Sequence, residues 1–381
     1  MVPNVPRYLH QLIRNRLKPN KAVLIYGARR VGKTALIKSI IAELPLDEVL
    51  FVNGEDQIVA EQFAIRTITN YKLLIGSKKY LIIDEAQNIE RIGSVLKLIV
   101  DEIEGIHVLV SGSSVFDLSN KLGEPLVGRQ TIFQMHPIAQ CELKSIENTF
   151  DSHGLLEDRL IYGCYPELFH ISSQDEKAEY LESIINSYLL KDILVYDGIK
   201  KSNKLMDLLR LIAFQIGQEV SIDELATNLK GISRNTVESY LDLLEKVFVI
   251  YKVSGFSRNL RKEIVKTSRY YFYDNGIRNA LISNFNALRL RNDVGQLWEN
   301  HMMIERRKFN ESQKKRIQQY FWRTYDQQEI DLIEEEDGEL RAFEFKWSPK
   351  KNTKAPAGWA KNYPNTKFRV ISPSNFLEFI S

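Results

Sequence analysis

Residues Gly27–Thr34 read Gly-Ala-Arg-Arg-Val-Gly-Lys-Thr and match the G-x4-G-K-[ST] pattern of a phosphate-binding loop. The glycines let successive backbone N–H groups turn toward phosphate oxygens, and the following helix adds the positive end of its dipole. Lys33 is expected to reach the β- and γ-phosphates, and Thr34 to bind Mg²⁺. The sequence therefore predicts a site for ATP and Mg²⁺. The predicted nucleotide contacts are Gly27, Ala28, Arg29, Arg30, Val31, Gly32, Lys33, Thr34 and Ala35.

A second segment whose residues could take part in catalysis is Tyr80–Glu85, which reads Tyr-Leu-Ile-Ile-Asp-Glu. Four apolar residues followed by an acid are typical of a buried strand whose terminal carboxylate holds the Mg²⁺ shell, here Asp84. The adjacent Glu85 is placed to act as general base for an attacking water. Together with the phosphate-binding loop, this segment predicts hydrolysis of the bound triphosphate.

The elements that must position these residues alternate between short apolar runs and helical patterns, which is typical of a parallel α/β sheet. Continuous apolar runs are expected for strands buried on both faces. The predicted strands are Ala22–Tyr26, Val49–Asn53, Tyr80–Asp84, His107–Ser111 and Thr131–Met135. The predicted fold class is therefore α/β, with a P-loop ATPase core over residues 1–140.

The order of several phrases resembles the prokaryotic AAA+-like P-loop ATPases that carry a C-terminal domain of unknown function. These phrases are the P-loop, DEAQ at 84–87, SGSS at 111–114, LVGR at 126–129 and YGCYPE at 162–167. FYDNGIRNAL and RNDVGQLWEN, further along, are similar to that C-terminal domain. The resemblance implies a strand inserted between the P-loop strand and the Asp84 strand. It also implies a helical lid, which we assign to residues 141–199.

The same resemblance assigns roles around the nucleotide. It implies a polar sensor at the end of the fourth strand, for which Ser111 and Ser113 are both candidates. Arg129 lies where relatives carry a phosphate-sensing or finger arginine, and a plain surface salt bridge is the alternative. A finger that acts in trans would require a homo-oligomer.

Residues 200–275 contain a helix-turn-helix pattern followed by strand-like segments, which predicts a winged helix. Ser221 and Ser233 are suitable N-caps, and the second helix would turn Arg234 and Asn235 outward. DNA contact through these residues and the basic wing is one interpretation. Packing of the winged helix against the lid is the other. The wing residues concerned are Arg258, Arg261 and Lys262.

The segment 329–347 predicts a hairpin that turns at Asp337-Gly338, a preferred two-residue loop. In that register Asp331 lies opposite Glu344. Alternation then places Glu329, Asp331, Glu344 and Lys346 on one face and Ile330, Leu332, Phe343 and Phe345 on the other. Facing carboxylates repel unless a cation lies between them, and Mg²⁺ would meet that need.

This arrangement resembles the PD-(D/E)XK nucleases, which places a C-terminal α/β domain of that kind at 276–381. The resemblance implies that Asp331 and Glu344 hold Mg²⁺, with Lys346 beside the attacking water and Glu299 as a fourth acid. Active cleavage, an inherited fold without cleavage and an acid-rich exposed strand all remain open. The basic stretch 306–316 predicts a solvated helix end.

Charge and composition limit the classes of function and partner that this chain can have. The chain has 52 Lys and Arg against 49 Asp and Glu, a net charge of +3. Residues 251–381 are basic, so DNA is a candidate partner through 230–381. Two cysteines without a CxxC pair exclude a disulfide framework and a zinc finger, and predict a reducing cytoplasm. No run approaches the roughly 20 apolar residues of a membrane span, so no membrane is expected.

These observations predict an AAA-family ATPase that binds and hydrolyses ATP with Mg²⁺ and switches a C-terminal half that binds DNA or another partner. Two alternatives stay open. One is an ATP-gated, Mg²⁺-dependent DNA nuclease, and the other is a slow nucleotide-dependent switch with a binding role.

Overall fold

The computed structural model describes residues 5–113, 126, 128–189, 202–257, 268–348 and 353–381. The chain divides into two units. The P-loop unit comprises Pro6–Pro137 with Lys246–Phe248, and the C-terminal unit comprises chiefly Ile138–Glu245 and Val249–Ser381. The P-loop unit ends close to the predicted boundary at residue 140. The described residues of the predicted lid belong to the C-terminal unit.

The P-loop unit is built on a parallel sheet in the order β2-β3-β4-β1-β5. Its strands are β1 Lys21–Tyr26, β2 Val49–Asn53, β3 Tyr80–Asp84, β4 His107–Gly112 and β5 Gln130–Gln134. Its helices are α1 Leu9–Arg16, α2 Lys33–Ile41, α3 Gln57–Ala64, α4 Ile68–Ile75 and α5 Ile92–Glu102. All five strand predictions are confirmed to within a residue at each end. β4 lies between β1 and β3, which confirms the inserted strand.

Burial explains why these runs form strands. From its second residue onward, each of β1, β3 and β4 is buried, as a central parallel strand covered on both faces requires. Tyr71, Leu81, Val95 and Val108 belong to one apolar cluster that also includes residues of α3, α4 and α5. The carboxyl ends of β1, β3 and β4 consequently meet at one edge of the sheet, where the predicted catalytic residues lie.

The C-terminal unit contains a mixed seven-stranded sheet in the order β12-β11-β10-β9-β7-β8-β6. Its strands are β6 Glu219–Val220, β7 Ile250–Gly255, β8 Ser268–Phe272, β9 Gln318–Arg323, β10 Glu329–Glu336, β11 Glu339–Phe345 and β12 Lys367–Ile371. Its first helices are α6 Gln140–Leu143, α7 Thr149–Gly154, α8 Leu156–Tyr162, α9 Gln174–Ile184, α10 Ser202–Phe214, α11 Ile222–Leu229 and α12 Arg234–Lys246. The others are α13 Asn275–Leu281, α14 Val294–Ser312, α15 Ala357–Asn362 and α16 Leu377–Ile380.

This sheet crosses the predicted boundary between residues 275 and 276. β7 pairs in parallel with β9, so that Ser254 lies beside Tyr320 and Gly255 beside Phe321. The strands predicted as wings are therefore part of the same sheet as the tail hairpin. β7 and β9 are more than sixty residues apart in the sequence, and no local sequence pattern indicates that they pair. For that reason the sequence pattern alone predicted two separate domains.

The helix-turn-helix helices are present as α11 and α12. Ser221 accepts a hydrogen bond from Glu224 N at 3.4 Å, and Ser233 accepts one from Thr236 N at 3.2 Å, so both predicted caps are confirmed. Arg234 is exposed but pairs with Asp223 and Glu238, each at 3.1 Å. Two acids therefore offset the charge that DNA contact would use. The wing residues Arg258, Arg261 and Lys262 lie outside the described residues.

The predicted hairpin is confirmed. β10 and β11 pair in the expected register, from Glu336 opposite Glu339 to Leu332 opposite Phe343. Asp337 and Gly338 in the turn both have positive φ. One detail is wrong, because Ile330 packs with Ile333 and Ala342 rather than beside Leu332. The cause is a β-bulge between β10 and β9, in which Asp331 and Leu332 together lie opposite Phe321.

The prediction of a solvated helix end at 306–316 is wrong for its first residues. Arg306 and Lys308 are buried on α14, where Arg306 pairs with Glu334 and Lys308 pairs with Glu305, both at 2.7 Å. Their partners come from β10 and from α14 itself, so the charges are compensated inside the C-terminal unit. Among the described residues, no helix is long and apolar enough to span a bilayer.

Candidate functional site

The phosphate-binding loop connects β1 to α2. Gly27 packs so closely against Met135 that a Cβ there would collide with the Met135 carbonyl oxygen. Gly32 has a φ of 99°, in the region that favours glycine, while Arg30 adopts a φ of 66°. A non-glycine residue in that region costs on the order of 1 kcal/mol, so the loop holds Arg30 against its preference.

Lys33 is the first residue of α2, and its side chain is buried inside the loop. Its ammonium donates to the carbonyl oxygens of Gly27 at 3.0 Å and Ala28 at 3.1 Å. The loop therefore encloses the lysine with weak neutral acceptors, which phosphate oxygens would replace with stronger charged ones. Arg29 is half-buried, Arg30 is exposed, and both lie on the same loop.

The side chains of Thr34, which follows Lys33, and Asp84 are in direct contact. The Thr34 hydroxyl donates to Asp84 Oδ2 at 2.6 Å, and Asp84 is 3% exposed at the end of β3. A hydroxyl and a carboxylate are oxygen ligands of the kind Mg²⁺ takes alongside waters and phosphate oxygens. These two residues fit the Mg²⁺ of a bound nucleotide.

The two candidate sensor serines have different contacts. The Ser111 hydroxyl donates to Asp84 Oδ1 and accepts from Glu85 N at 3.3 Å. Ser113 uses its backbone N–H, which donates to Gln87 Oε1 at 3.2 Å. Ser111 is thus the serine whose side chain contacts the Asp84 carboxylate.

Glu85 follows Asp84 with a φ of 49°, again in the left-handed region. Its Oε2 accepts a hydrogen bond from Gln87 Nε2 at 2.6 Å. Gln87 therefore joins the Glu85 carboxylate to the backbone of Ser113, after the end of β4. Gln87 is part of the DEAQ phrase, but no role for it was predicted from the sequence. Its position two residues after Glu85 was the sequence feature that could have indicated a contact with the Glu85 carboxylate.

Arg7 was also missed, and no pattern in the sequence marks it. Its guanidinium donates to the carbonyl oxygens of Val31 at 2.8 Å and His136 at 2.5 Å. It thereby fixes the phosphate-binding loop against the residues that follow β5.

Arg129 forms an ion pair with Asp101 of α5 and is about half exposed, with a side-chain accessibility of 51%. Arg129 therefore forms a surface salt bridge within its own chain, which was the alternative to a phosphate-sensing role. An exposed pair of this kind contributes about 0–1 kcal/mol and can exchange partners at little cost.

Three of the four predicted C-terminal acids line a cavity of about 610 Å³ within the C-terminal unit, and the fourth, Glu344, pairs with Lys346 of its lining. Glu299, Glu329, Asp331 and Lys346 line this carboxylate pocket. Arg269 of β8 lines it as well, although no pattern in the sequence marks this residue. Arg269 lies 3.4 Å from Glu299, 3.0 Å from Glu329 and 3.8 Å from Asp331. In the described parts of the chain, no three His, Cys, Asp or Glu side chains form a metal-ligand group.

Comparison with protein families divides the chain into three matched regions. Residues 19–144 match the family described as "AAA domain". This part of the chain is therefore similar to AAA domains. Residues 153–288 and 294–377 match two domains of unknown function, DUF8612 and DUF4143. These matches support the expected resemblance to AAA ATPases over residues 19–144 and to a C-terminal domain of unknown function over residues 294–377. The nuclease-like fold of that domain stays a prediction.

Several uncharacterized proteins are similar to this chain over most of its length. The uncharacterized protein MJ1544 of Methanocaldococcus jannaschii is 25% identical over 319 residues, which cover 79% of this chain and 70% of that protein. An uncharacterized protein of Haemophilus influenzae is 27% identical over 302 residues, or 74% of each chain. The uncharacterized protein Rv2008c of Mycobacterium tuberculosis is 25% identical over 338 residues, covering 88% and 72%.

Two solved structures are more distantly similar. AMPPCP-bound DnaA from Aquifex aeolicus is 17% identical with a TM-score of 0.30, covering 65% of this chain and 89% of that one. The STAND protein PH0952 from Pyrococcus horikoshii is 13% identical, also with a TM-score of 0.30, covering 81% and 46%. A TM-score this low supports no inference about this chain.

Proposed function

We propose that the protein binds ATP with Mg²⁺, hydrolyses it, and uses the nucleotide state to switch its C-terminal half. The observation that carries this proposal is the 2.6 Å hydrogen bond from Thr34 to Asp84, beside the enclosed ammonium of Lys33. These groups are the ones that phosphoryl transfer in P-loop proteins requires. The AAA-domain match over residues 19–144 supports the same assignment.

The proposed mechanism divides the work among the chain's own groups. The N–H groups of Gly27–Ala35 bind the phosphates, and Lys33 leaves two neutral carbonyl oxygens to contact the γ-phosphate. Thr34 and Asp84 would hold Mg²⁺, which supplies charge neutralisation on the triphosphate when bound. Glu85 accepts the proton of the attacking water as general base. Ser111 fixes Asp84 through its hydroxyl.

Replacement of the general base provides the direct test. We expect Glu85→Gln to retain ATP binding while phosphate release falls by about 10²–10⁴-fold, because the amide cannot accept the proton. Binding of a fluorescent ATP analogue and phosphate release would be measured on the same preparation. Glu61→Gln, on exposed α3, is the matched control and should behave as the native protein. Native turnover by Glu85→Gln would refute the assignment of the base.

Gln87 is expected to position Glu85, since its amide holds the carboxylate at 2.6 Å and is itself fixed by Ser113 N. A small misplacement of a catalytic group can cost up to about 10²-fold in rate. We therefore expect Gln87→Ala to lower kcat by about tenfold or more and to leave KM for ATP unchanged. Steady-state kinetics give both constants. An unchanged kcat, or a parallel loss of ATP affinity, would contradict the positioning role.

DNA binding through residues 230–381 and homo-oligomer formation remain predictions. The basic character of residues 251–381 supports the former, and the pairing of Arg234 with Asp223 and Glu238 weakens it at the helix-turn-helix. A slow switch with a binding role is distinguished from an efficient ATPase by the native rate of phosphate release. Tight nucleotide binding with negligible release would favour the slow switch.

A further inference from the structure

The carboxylate pocket is lined by three acids and two basic side chains, and a fourth acid, Glu344, pairs with one of those basic side chains, Lys346. Glu299 comes from α14, Glu329 and Asp331 from β10, and Glu344 from β11. Arg269 of β8 and Lys346, which follows β11, supply the positive charges. The pattern of Asp331, Glu344 and Lys346 implies a divalent metal, so the contacts of these residues test whether a metal fits.

Arg269 occupies the centre of this group. Its side chain is 4% exposed, and its two terminal nitrogens contact three of the acids, at 3.0 Å for Glu329, 3.4 Å for Glu299 and 3.8 Å for Asp331. Its guanidinium also stacks over the Phe321 ring, 4.7 Å from the ring centre. Phe321 is the residue opposite the β-bulge that contains Asp331. The β-bulge of β10 and the Arg269 guanidinium are therefore both next to Phe321 of β9.

Several of the carboxylate oxygens also contact other protein groups. Asp331 Oδ2 accepts from Phe345 N at 2.8 Å, Glu299 Oε1 accepts from the Tyr271 hydroxyl at 2.7 Å, and Glu344 Oε1 pairs with Lys346 at 2.6 Å. Mg²⁺ requires nearly octahedral oxygen ligands at about 2.0–2.1 Å. A metal shared by Glu299, Glu329 and Asp331 would have to displace the guanidinium that already contacts these three acids. The residues as arranged do not fit a metal.

We infer that the guanidinium of Arg269 is the resident cation of the carboxylate pocket, and that it takes the place of a divalent metal and excludes one. The pocket is then not a centre for metal-dependent phosphodiester hydrolysis, although its acids and lysine match that pattern in sequence. This inference is independent of the proposed ATP site, which lies in the P-loop unit.

Mn²⁺ binding by the full-length chain tests the inference. Asp84→Asn serves as the background, so that the predicted nucleotide metal site does not contribute. Isothermal titration calorimetry with Mn²⁺ would be compared for this background, for Arg269→Gln and for Arg269→Lys. Thermal unfolding followed by tryptophan fluorescence reports on folding, because all four tryptophans, Trp298, Trp322, Trp347 and Trp359, belong to the C-terminal unit.

We expect no Mn²⁺ binding and no change of Tm with millimolar Mn²⁺ in the background or in Arg269→Lys, which keeps a cation in place. Arg269→Gln should unfold at a lower temperature without metal, and its Tm should rise with Mn²⁺. Glu344 Oε2 is buried without a hydrogen-bond partner among the described residues, so one ligand oxygen is already available. Adding Asp331→Asn to Arg269→Gln should abolish the rise.

Two results would overturn the inference. One is stoichiometric Mn²⁺ binding by the background protein that Asp331→Asn removes. The other is a folded Arg269→Gln protein that gains no Mn²⁺ binding, because the acids would then not form a metal site even without the guanidinium. The first measurement needs no Arg269 variant, so it decides the matter even if Arg269→Gln does not fold.

Discussion

Lys33→Ala is expected to lower ATP turnover by about 10²–10³-fold, which is the typical effect of removing one preorganised donor from a site of developing charge. Lys33 is 5% exposed and lies within the loop, with its ammonium 3.0 Å from Gly27 O and 3.1 Å from Ala28 O. Alanine has no group that can reach a phosphate from the start of α2. Both nucleotide affinity and kcat should therefore fall, in contrast to Glu85→Gln.

Lys38→Ala is the matched control, because Lys38 lies on the exposed face of the same helix. It should bind and hydrolyse ATP as the native protein does. The measurement is phosphate release at saturating MgATP, with the Tm of each variant taken to confirm folding. If Lys33→Ala keeps the native rate while folded, the assigned nucleotide site is wrong and hydrolysis takes place elsewhere or not at all.

The parts of this site that could be predicted are those written into consecutive residues. The phosphate-binding loop and the strand ending at Asp84 each follow from a short pattern at a fixed place relative to a strand. Parallel strands place their carboxyl ends on one edge, but the sequence left Ser111 and Ser113 both open as the serine after β4. The hairpin at Asp337-Gly338 was predictable for the same local reason.

Contacts between distant segments could not be predicted. Arg269 precedes Glu329 by 60 residues and reaches it only because β7 and β8 join the sheet of β9 and β10. Neither the strand order nor the bulge beside Phe321 is encoded in a single segment. The acids of the pocket were therefore identified from sequence, but the cation between them was not.

Buried charges on α14 were missed for a different reason. The stretch that begins at Arg306 has the composition of a solvated helix end, and composition does not reveal a compensating partner. Glu305 and Lys308, one turn apart, look like an exposed pair that stabilises a helix by a few tenths of a kcal/mol. In the structure both side chains are 1% exposed, and that burial changes the expected energy by an order of magnitude.

Lys308→Met is accordingly expected to destabilise the C-terminal unit by about 3–5 kcal/mol, because a buried charge would lose its partner. Lys308 donates to Glu305 at 2.7 Å and to Ile138 O at 3.2 Å, and Glu305 also accepts from Gln140 N at 2.6 Å. Burial lowers the pKa of the neighbouring His301 to about 4 in the native protein, so that side chain is neutral there at pH 7 and Lys308 is the cation that faces Glu305. Urea unfolding followed by tryptophan fluorescence measures the loss.

The pH dependence of this loss identifies its cause. In the native protein burial disfavours the Glu305 carboxylate, but Lys308 outweighs burial and holds the Glu305 pKa below its ordinary value. The stabilisation from this pair is therefore present at neutral pH and is lost as pH falls through that pKa. Without Lys308 the same burial favours the neutral acid, so the deficit relative to the native protein should shrink as pH falls. Lys308→Met with Glu305→Gln should recover much of the stability at pH 7, while the exposed control Lys315→Met should change little. A deficit that does not vary with pH and is not recovered by Glu305→Gln would point to lost packing of the lysine stem instead of an uncompensated charge.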